Sequence, residues 1–432
     1  MRLKIKISPP GWLPVLLFLM GYSQAQSIRE AVDLALRNNP TINAQREDWQ
    51  RAQFQNKSVW RSTLPKLDFD ASYRHVTDVA QIEMPIPPAG KTIRLGAYDT
   101  YDSGITASYV LFSGFAQVNS VRQTEQQVKL GENQASKSEK DIAFQTAMMY
   151  RQIQNSQLEI SALESAQKRI QIQMSRLQSM LRQGMVLALD TLSLSISRLS
   201  YEQKIISARA SLETSKEHLA NLSGASVTVA PPSTDMPVTD FSEFVSSGIE
   251  DLQMLEVQKN IAQINRSLAK ANYYPRIALN AGMRYGRPGL DMVSNEWMLY
   301  GVWAAGLSWN LFSSGADRLQ EQAQEITMRK VQYMQQALGN QYRTRYNNAL
   351  REMEALQDQL QVIRTTLNLA EKKMKIIESQ YRNGMATAND FNDANLELTD
   401  VEISYQRYLI RLALKIHEID YISGQPISKW RL

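Results

Sequence analysis

Apolar residues recur in this sequence with two different periods, and each period fixes a type of element. Steps of alternately four and three residues land on Tyr342, Tyr346, Ala349, Met353, Leu356, Leu360, Ile363, Leu367, Ala370, Met374, Ile377 and Tyr381, all of them apolar or aromatic. A sustained seven-residue repeat puts one greasy stripe on a helix and requires a second helix to cover it. The same frame 200 residues earlier gives Ile142, Thr146, Met149, Ile153, Ser156, Ile160, Leu163, Gln167, Ile170, Met174, Leu177 and Leu181, with three polar exceptions. Residues 89–230 and 289–425 contain no proline, so nothing there interrupts a helix. The second stretch predicts one helix from about Gly315 to Asn383, roughly 100 Å long at about 1.5 Å per residue.

The second period is two. Leu67, Phe69, Ala71 and Tyr73 alternate with Asp68, Asp70, Ser72 and Arg74. Ile105, Ala107, Tyr109 and Leu111 alternate with Thr106 and Ser108, and Ile277, Leu279, Ala281, Met283 and Tyr285 with Arg276, Asn280 and Arg284. From Trp297 to Phe312 the odd positions are Trp297, Leu299, Gly301, Trp303, Ala305, Leu307, Trp309 and Leu311. These four segments predict strands with an aromatic-rich apolar face and a polar face, the pattern of a membrane β-barrel wall. Four strands are too few to close a barrel, so identical chains would have to share one. The connections Ala80 to Tyr101 and Gly286 to Glu296 are expected to be exposed loops.

The chain is an internal duplication. Leu111-Phe112-Ser113 recurs as Leu311-Phe312-Ser313, and Arg182-Gln183-Gly184-Met185 as Arg382-Asn383-Gly384-Met385. Asp190 recurs as Asp390, and Ser223-Gly224 as Ser423-Gly424, all at one offset. Pro65 and Pro275 are ten residues further apart, so the first half carries an insertion before its Leu-Phe-Ser. The reading is a signal peptide at 1–25, a first repeat at 26–229, a Pro-rich linker at 230–237 and a second repeat at 238–432. Arg2, Lys4 and Lys6 ahead of the apolar run Trp12 to Met20, with Ser23 and Ala25 before the cut, support the signal peptide.

Composition narrows the function. Loss of the three N-terminal positive charges lowers the formal charge from +5 to +2, so the basic pI argues for no nucleic-acid partner. There are no cysteines, hence no disulfides and no thiol for a lipid anchor. His75, His218 and His417 have no metal-ligand spacing, and no nucleophile or phosphate-loop motif is present. The 18 methionines fall mostly in predicted helices, where core packing accounts for them. No catalysis, cofactor or metal is expected. These features leave two readings: an outer-membrane channel, or a periplasmic or surface coiled-coil rod without a channel.

Taken together, the landmarks resemble the TolC-like outer membrane efflux proteins. They are Glu30-Ala31-Val32 through Asn39-Pro40, Leu64-Pro65 before a strand, Tyr109 to Gly114, Trp309 to Gly315, and the paired tips Gly184 to Asp190 and Gly384 to Asp390. The resemblance implies a trimer whose twelve-stranded barrel continues as an α-helical tunnel into the periplasm. It implies a location in the outer membrane and an exit-duct role in a tripartite efflux or type I secretion system. The implied partners are a periplasmic adaptor, an inner-membrane pump of RND or ABC type, and outer-membrane lipid. The tips Gly184, Met185, Gly384 and Met385 would dock the adaptor. Asp190, Tyr381, Asp390 and Asp393 would line the periplasmic gate, with Arg382 standing in for a basic lock residue replaced here by Ala386.

Overall fold

The computed structural model describes residues 25–84, 91–182, 188–231, 243–291 and 293–432. The first half runs α1 (Ile28–Asn38), α2 (Pro40–Arg61), β1 (Lys66–His75), β2 (Gln81–Met84), β3 (Lys91–Arg94), β4 (Asp99–Ser113), α3 (Ala116–Arg182) and α4 (Ala188–Ser223). The second runs α5 (Glu250–Ala271), β5 (Arg276–Arg287), β6 (Met298–Ser308), α6 (Ala316–Arg382) and α7 (Ala388–Ile422). Helices α3 and α6 are each 67 residues long, about 100 Å at about 1.5 Å per residue. The proposed signal peptide through residue 24 and linker residues 232–237 lie outside the described residues.

Both long helices begin at the same kind of corner. Gly114 and Phe115, and 200 residues later Ser314 and Gly315, hold positive φ in succession. Two left-handed residues turn the strand path into the helix axis, so each Leu-Phe-Ser landmark marks the same bend. The bend also corrects one expectation: β6 stops at Ser308 and does not reach Phe312. The first-half insertion is not plain loop either, because β2 and β3 pair as a small hairpin inside it. Two helices precede the strands of the first half. Asn39 ends α1 and caps α2 by accepting from Thr41 N at 2.9 Å, with Pro40 opening α2.

The heptad frame reads out as the helix core. Tyr346, Ala349, Met353 and Leu356 of α6 pack with Leu412, Ile416, Ile419 and Ile422 of α7. Nearer the tips, Leu163, Ile170 and Leu177 of α3, Leu194 and Tyr201 of α4, Ala370 and Met374 of α6, and Phe391 and Leu398 of α7 form one cluster. Thr146, a polar exception in the frame, is fully buried and donates to Ile142 O at 2.7 Å. Helix α3 packs on α2, α4, α5 and α7, whereas α6 packs on α5 and α7.

Midway along the rod the chain ends are tied together. Tyr150 OH donates to Gln26 O at 2.6 Å and accepts from Ala230 N at 2.9 Å. Trp430 is buried against Tyr421, and fully buried Asp420 receives Arg431 Nη2 at 2.7 Å. His417 lies in the same zone, 1 % exposed, accepting from Arg151 Nε at 3.2 Å. Burial, then the Arg151 charge, pushes its pKa down to about 3; Asp420 acts in the opposite sense and Arg431 with Arg151.

The unfolded chain therefore protonates this histidine near pH 6.5, and the folded chain only near pH 3. Its neutral form supports the fold above that window, and stability declines as pH falls through it. His417→Gln keeps an acceptor for Arg151 and should flatten the acid limb of the stability–pH curve between those values. Heat denaturation across pH checks this; an unchanged slope in the variant would assign the acid limb to other groups.

Candidate functional site

The four long strands form one antiparallel sheet in the order β1-β4-β5-β6. Register puts Leu67, Phe69 and Tyr73 beside Ala107, Ile105 and Tyr101, and these beside Ala281, Met283 and Arg287. Ala281, Met283 and Tyr285 in turn oppose Trp303, Gly301 and Leu299. One face is thus apolar across all four strands up to Arg287 at the hairpin end, and exposed: Phe69 is 73 % and Trp303 84 % accessible. A register shift between Val110 and Phe112 sets Phe112 opposite Ile277, so Leu111 does not continue the alternation expected of it. The opposite face carries Asp70, Asp102, Thr106, Asn280 and Arg284. Among the described residues, edge strands β1 and β6 each have one strand partner.

Aromatic residues collect at both ends of the apolar band. At the hairpin end Tyr285 stacks on Trp297 at 4.9 Å between ring centres, and Tyr101 lies against both Trp297 and Tyr73. At the helix end Phe112, Phe115 and Tyr274 meet edge to face, and Trp309 Nε1 donates to Tyr273 O at 3.1 Å. Trp297 and Trp309 are separated by roughly 40 Å of extended chain at about 3.3 Å per residue. With a barrel tilt of about 40° this becomes roughly 30 Å, close to an outer-membrane apolar band flanked by aromatic girdles. No helix among the described residues is long and apolar enough to cross a membrane.

At the far end of the rod the α6–α7 turn is described in full. Helix α6 closes with Gly384 at φ +72°, its N–H donating to Tyr381 O at 3.2 Å, while Met385 N donates to Gln380 O at 2.9 Å. This pair of bonds is a Schellman stop, which needs a left-handed residue at Gly384. Met385 is 70 % exposed. Gly184 and Met185 of the matching first-half turn lie outside the described residues.

Asp390, expected as a gate acid, has a local task. Its carboxylate accepts from Thr387 N at 2.8 Å and from Thr387 Oγ1 at 2.7 Å, while Thr387 Oγ1 accepts from Asp390 N, a reciprocal cap on α7. Those bonds hold the exposed carboxyl below its ordinary pKa. Asp393 is also exposed, one turn further along α7. Arg382 is exposed and closes α6. Tyr381 packs on Phe391, and its buried hydroxyl has no hydrogen-bond partner among the described residues. Burial, with the charge of Asp190 behind it, pushes the Tyr381 pKa up to about 12. The structure therefore puts Tyr381 within range of the Asp190 charge and leaves Asp390, Asp393 and Arg382 on the surface of the single chain.

Sequence reasoning missed a polar knot just above the tip. Arg169 of α3 donates to Asn395 Oδ1 at 2.6 Å and Thr399 Oγ1 at 3.0 Å, and faces Glu402 at 3.5 Å. Asn395 and Thr399 are buried polar positions on α7. The only signal in the sequence is an Asn and a Thr four apart at inward helix positions.

Comparison with known proteins gives a consistent result. The sequence model of one family, described as outer membrane efflux protein, matches residues 31–225 and 248–413. The fold is similar to the outer membrane protein VceC of Vibrio cholerae, with TM-score 0.78 and 16 % identity over 92 % of this chain and 96 % of that one. It is also similar to the Campylobacter jejuni CmeC outer membrane channel, with TM-score 0.77 and 14 % identity over 98 % and 94 %. The open state of the Neisseria gonorrhoeae MtrE outer membrane channel gives TM-score 0.76 and 15 % identity over 93 % and 89 %. No curated protein matches the sequence.

The turn at Gly384 makes a specific prediction. A Cβ there would meet nothing within 4 Å, so the cost of a side chain is conformational rather than steric. Gly384→Val should cost the turn about 1–2 kcal/mol through its left-handed φ and fray the end of α6. Trypsin should then cut faster after exposed Arg382 while the assembled protein stays intact. Equal cutting rates would show that the turn does not depend on that backbone state.

Proposed function

The chain belongs to the outer membrane efflux protein family, and from that premise we propose which of its surfaces meet neighbouring copies, which line the gate and which receive the adaptor. The protein is an outer-membrane exit duct whose helical tunnel extends into the periplasm. Its family works as a trimer with a periplasmic adaptor and an inner-membrane pump. The observation that carries the channel role is the open four-stranded sheet, apolar on one exposed face and polar on the other. In lipid its unpaired backbone edges must be satisfied, and three copies supply a closed ring of twelve strands.

The helices carry a matching pair of uncovered stripes. Leu189, Leu192, Ile196, Leu199 and Ile206 of α4 are each more than half exposed, at mostly three- and four-residue spacing. Val362, Leu369 and Ile376 of α6 are equally exposed, seven residues apart. Within the chain α7 sits between α6 and α3, so α4 and α6 are the outer flanks. Ile376 lies six residues before the end of α6, and Leu192 and Ile196 lie four and eight residues after the start of α4. At one level of an antiparallel pair, Ile376 therefore enters the gap between Leu192 and Ile196. The α4 stripe of one copy covers the α6 stripe of the next, continuing the closure of β1 on β6.

Gly184 and Met185, and the turn at Gly384–Met385, are the adaptor-docking ends, supported by the exposed, adaptable Met385. The adaptor couples in turn to a pump of RND or ABC type. Tyr381 with Asp190 forms the gate hinge, and Asp390, Asp393 and Arg382 are its luminal charges in the trimer. Residues 1–25 are the signal peptide removed on export, 26–229 and 238–432 the two efflux repeats, and 230–237 their linker.

The absence of native cysteine makes the helix pairing directly testable. With Ile196→Cys and Ile376→Cys in one chain, a short bifunctional maleimide should convert outer-membrane protein to covalent trimers on denaturing gels, and either single variant should not. Trimers in mild detergent that fail to cross-link would refute the α4–α6 pairing. A protein that washes off membranes as a monomer would refute the channel itself and return the rod reading.

A further inference from the structure

One register row of the sheet is Asp70, Gly104, Arg284 and Tyr300, one residue from each of β1, β4, β5 and β6. Gly104 leaves a gap in that row. A Cβ there would lie 3.0 Å from Arg284 Cγ and 2.8 Å from Met283 O. The Arg284 side chain uses the gap to cross β4, placing Nη2 2.7 Å from Asp70 Oδ2 and in contact with Asp102 Oδ1. Tyr300 OH donates to the other oxygen of Asp102 at 3.2 Å. All four residues stand on the polar face, opposite Phe69, Met283 and Trp303, which is the luminal face once the barrel closes.

The backbone ladder already fixes the register of these strands, and an ion pair open to water adds little to stability. What the cluster changes is charge. One guanidinium against two carboxylates leaves each chain one negative charge at this level, where Asp70 and Asp102 alone would leave two. We propose that Arg284, laid across the Gly104 gap onto Asp70 and Asp102, is a specificity-determining residue that sets how strongly the barrel lumen prefers cations. The neighbouring luminal acid Asp68 is matched separately by Lys66 at 2.7 Å. This inference rests on the channel reading above. In a wide, wet lumen such a ring is felt over about a Debye length, about 10 Å at 0.1 M salt and about 30 Å at 0.01 M. Its influence is therefore expected in dilute salt and lost in concentrated salt.

The test is the reversal potential of full-length trimers in a planar bilayer under a potassium chloride gradient, read in dilute and in concentrated salt. Arg284→Gln should shift the potential toward cation preference, more so in dilute salt, and Asp70→Asn should shift it toward anions. Arg284→Lys should match wild type. The Arg284→Gln/Asp70→Asn double variant restores the charge count and should return to the wild-type potential. A purely structural brace would instead leave the double variant at least as perturbed as either single one. An unchanged potential for Arg284→Gln in dilute salt, or a double variant that does not revert, overturns the proposal. Should Arg284→Gln fail to assemble, an Asp70→Asn potential equal to wild type overturns it. Wild-type protein that forms no pores would instead defeat the channel reading.

Discussion

A β-strand in lipid cannot leave its edge unpaired, and the rest of this molecule follows from that constraint. The large sheet has four strands and ends there, leaving β1 and β6 with one partner each among the described residues. The side chains of both edges are exposed, with Phe69 on one and Trp303 on the other. Only other copies can finish the sheet. Because β4 and β6 each lead through a left-handed corner into a long helix, the ring order of the strands is handed on to the helices. The tunnel inherits the symmetry that the barrel requires.

Two long helices held only by apolar heptads could slide by one repeat at little cost, since leucine against leucine looks alike at each level. This chain breaks that degeneracy with buried polar groups. A slip would strand Asn395 and Thr399 away from Arg169. It would also separate Tyr150 from Gln26 and Ala230, which tie the start of the first half to its end. Apolar burial supplies the driving force for bundling, and these few polar contacts select one register, because an unsatisfied buried charge is costly. Among the described residues, the α6–α7 tip holds its turn with one left-handed glycine and a reciprocal Thr387–Asp390 cap.

The periods of two and seven are properties of local geometry, so the sequence carried them: α6 near its observed bounds, a matching long helix in the first half, and the four long strands, although β4 begins at Asp99, ahead of the expected segment. The duplication was equally readable, because a shared offset survives divergence of the residues between its landmarks. The misses are of another kind. The β2–β3 hairpin has too few alternating residues to stand out, and the end of β6 is set by a corner at Ser314 and Gly315 rather than by alternation. The bond that Thr387 makes to the Asp390 carboxylate, three residues on, was not picked out either.

Sequence alone settled that this chain folds into strands and long paired helices, and that its four strands cannot close alone. Those facts depend on the order of apolar residues, which is a one-dimensional property. It could not settle which distant polar residues meet. Arg284 reaches Asp70, 214 positions away in the chain, because register sets glycine rather than a larger residue between them. His417 stays neutral because packing buries it within the rod, and secondly because α3 brings Arg151 against it there. Such pairings depend on strand register and helix level, which exist only once the chain has packed.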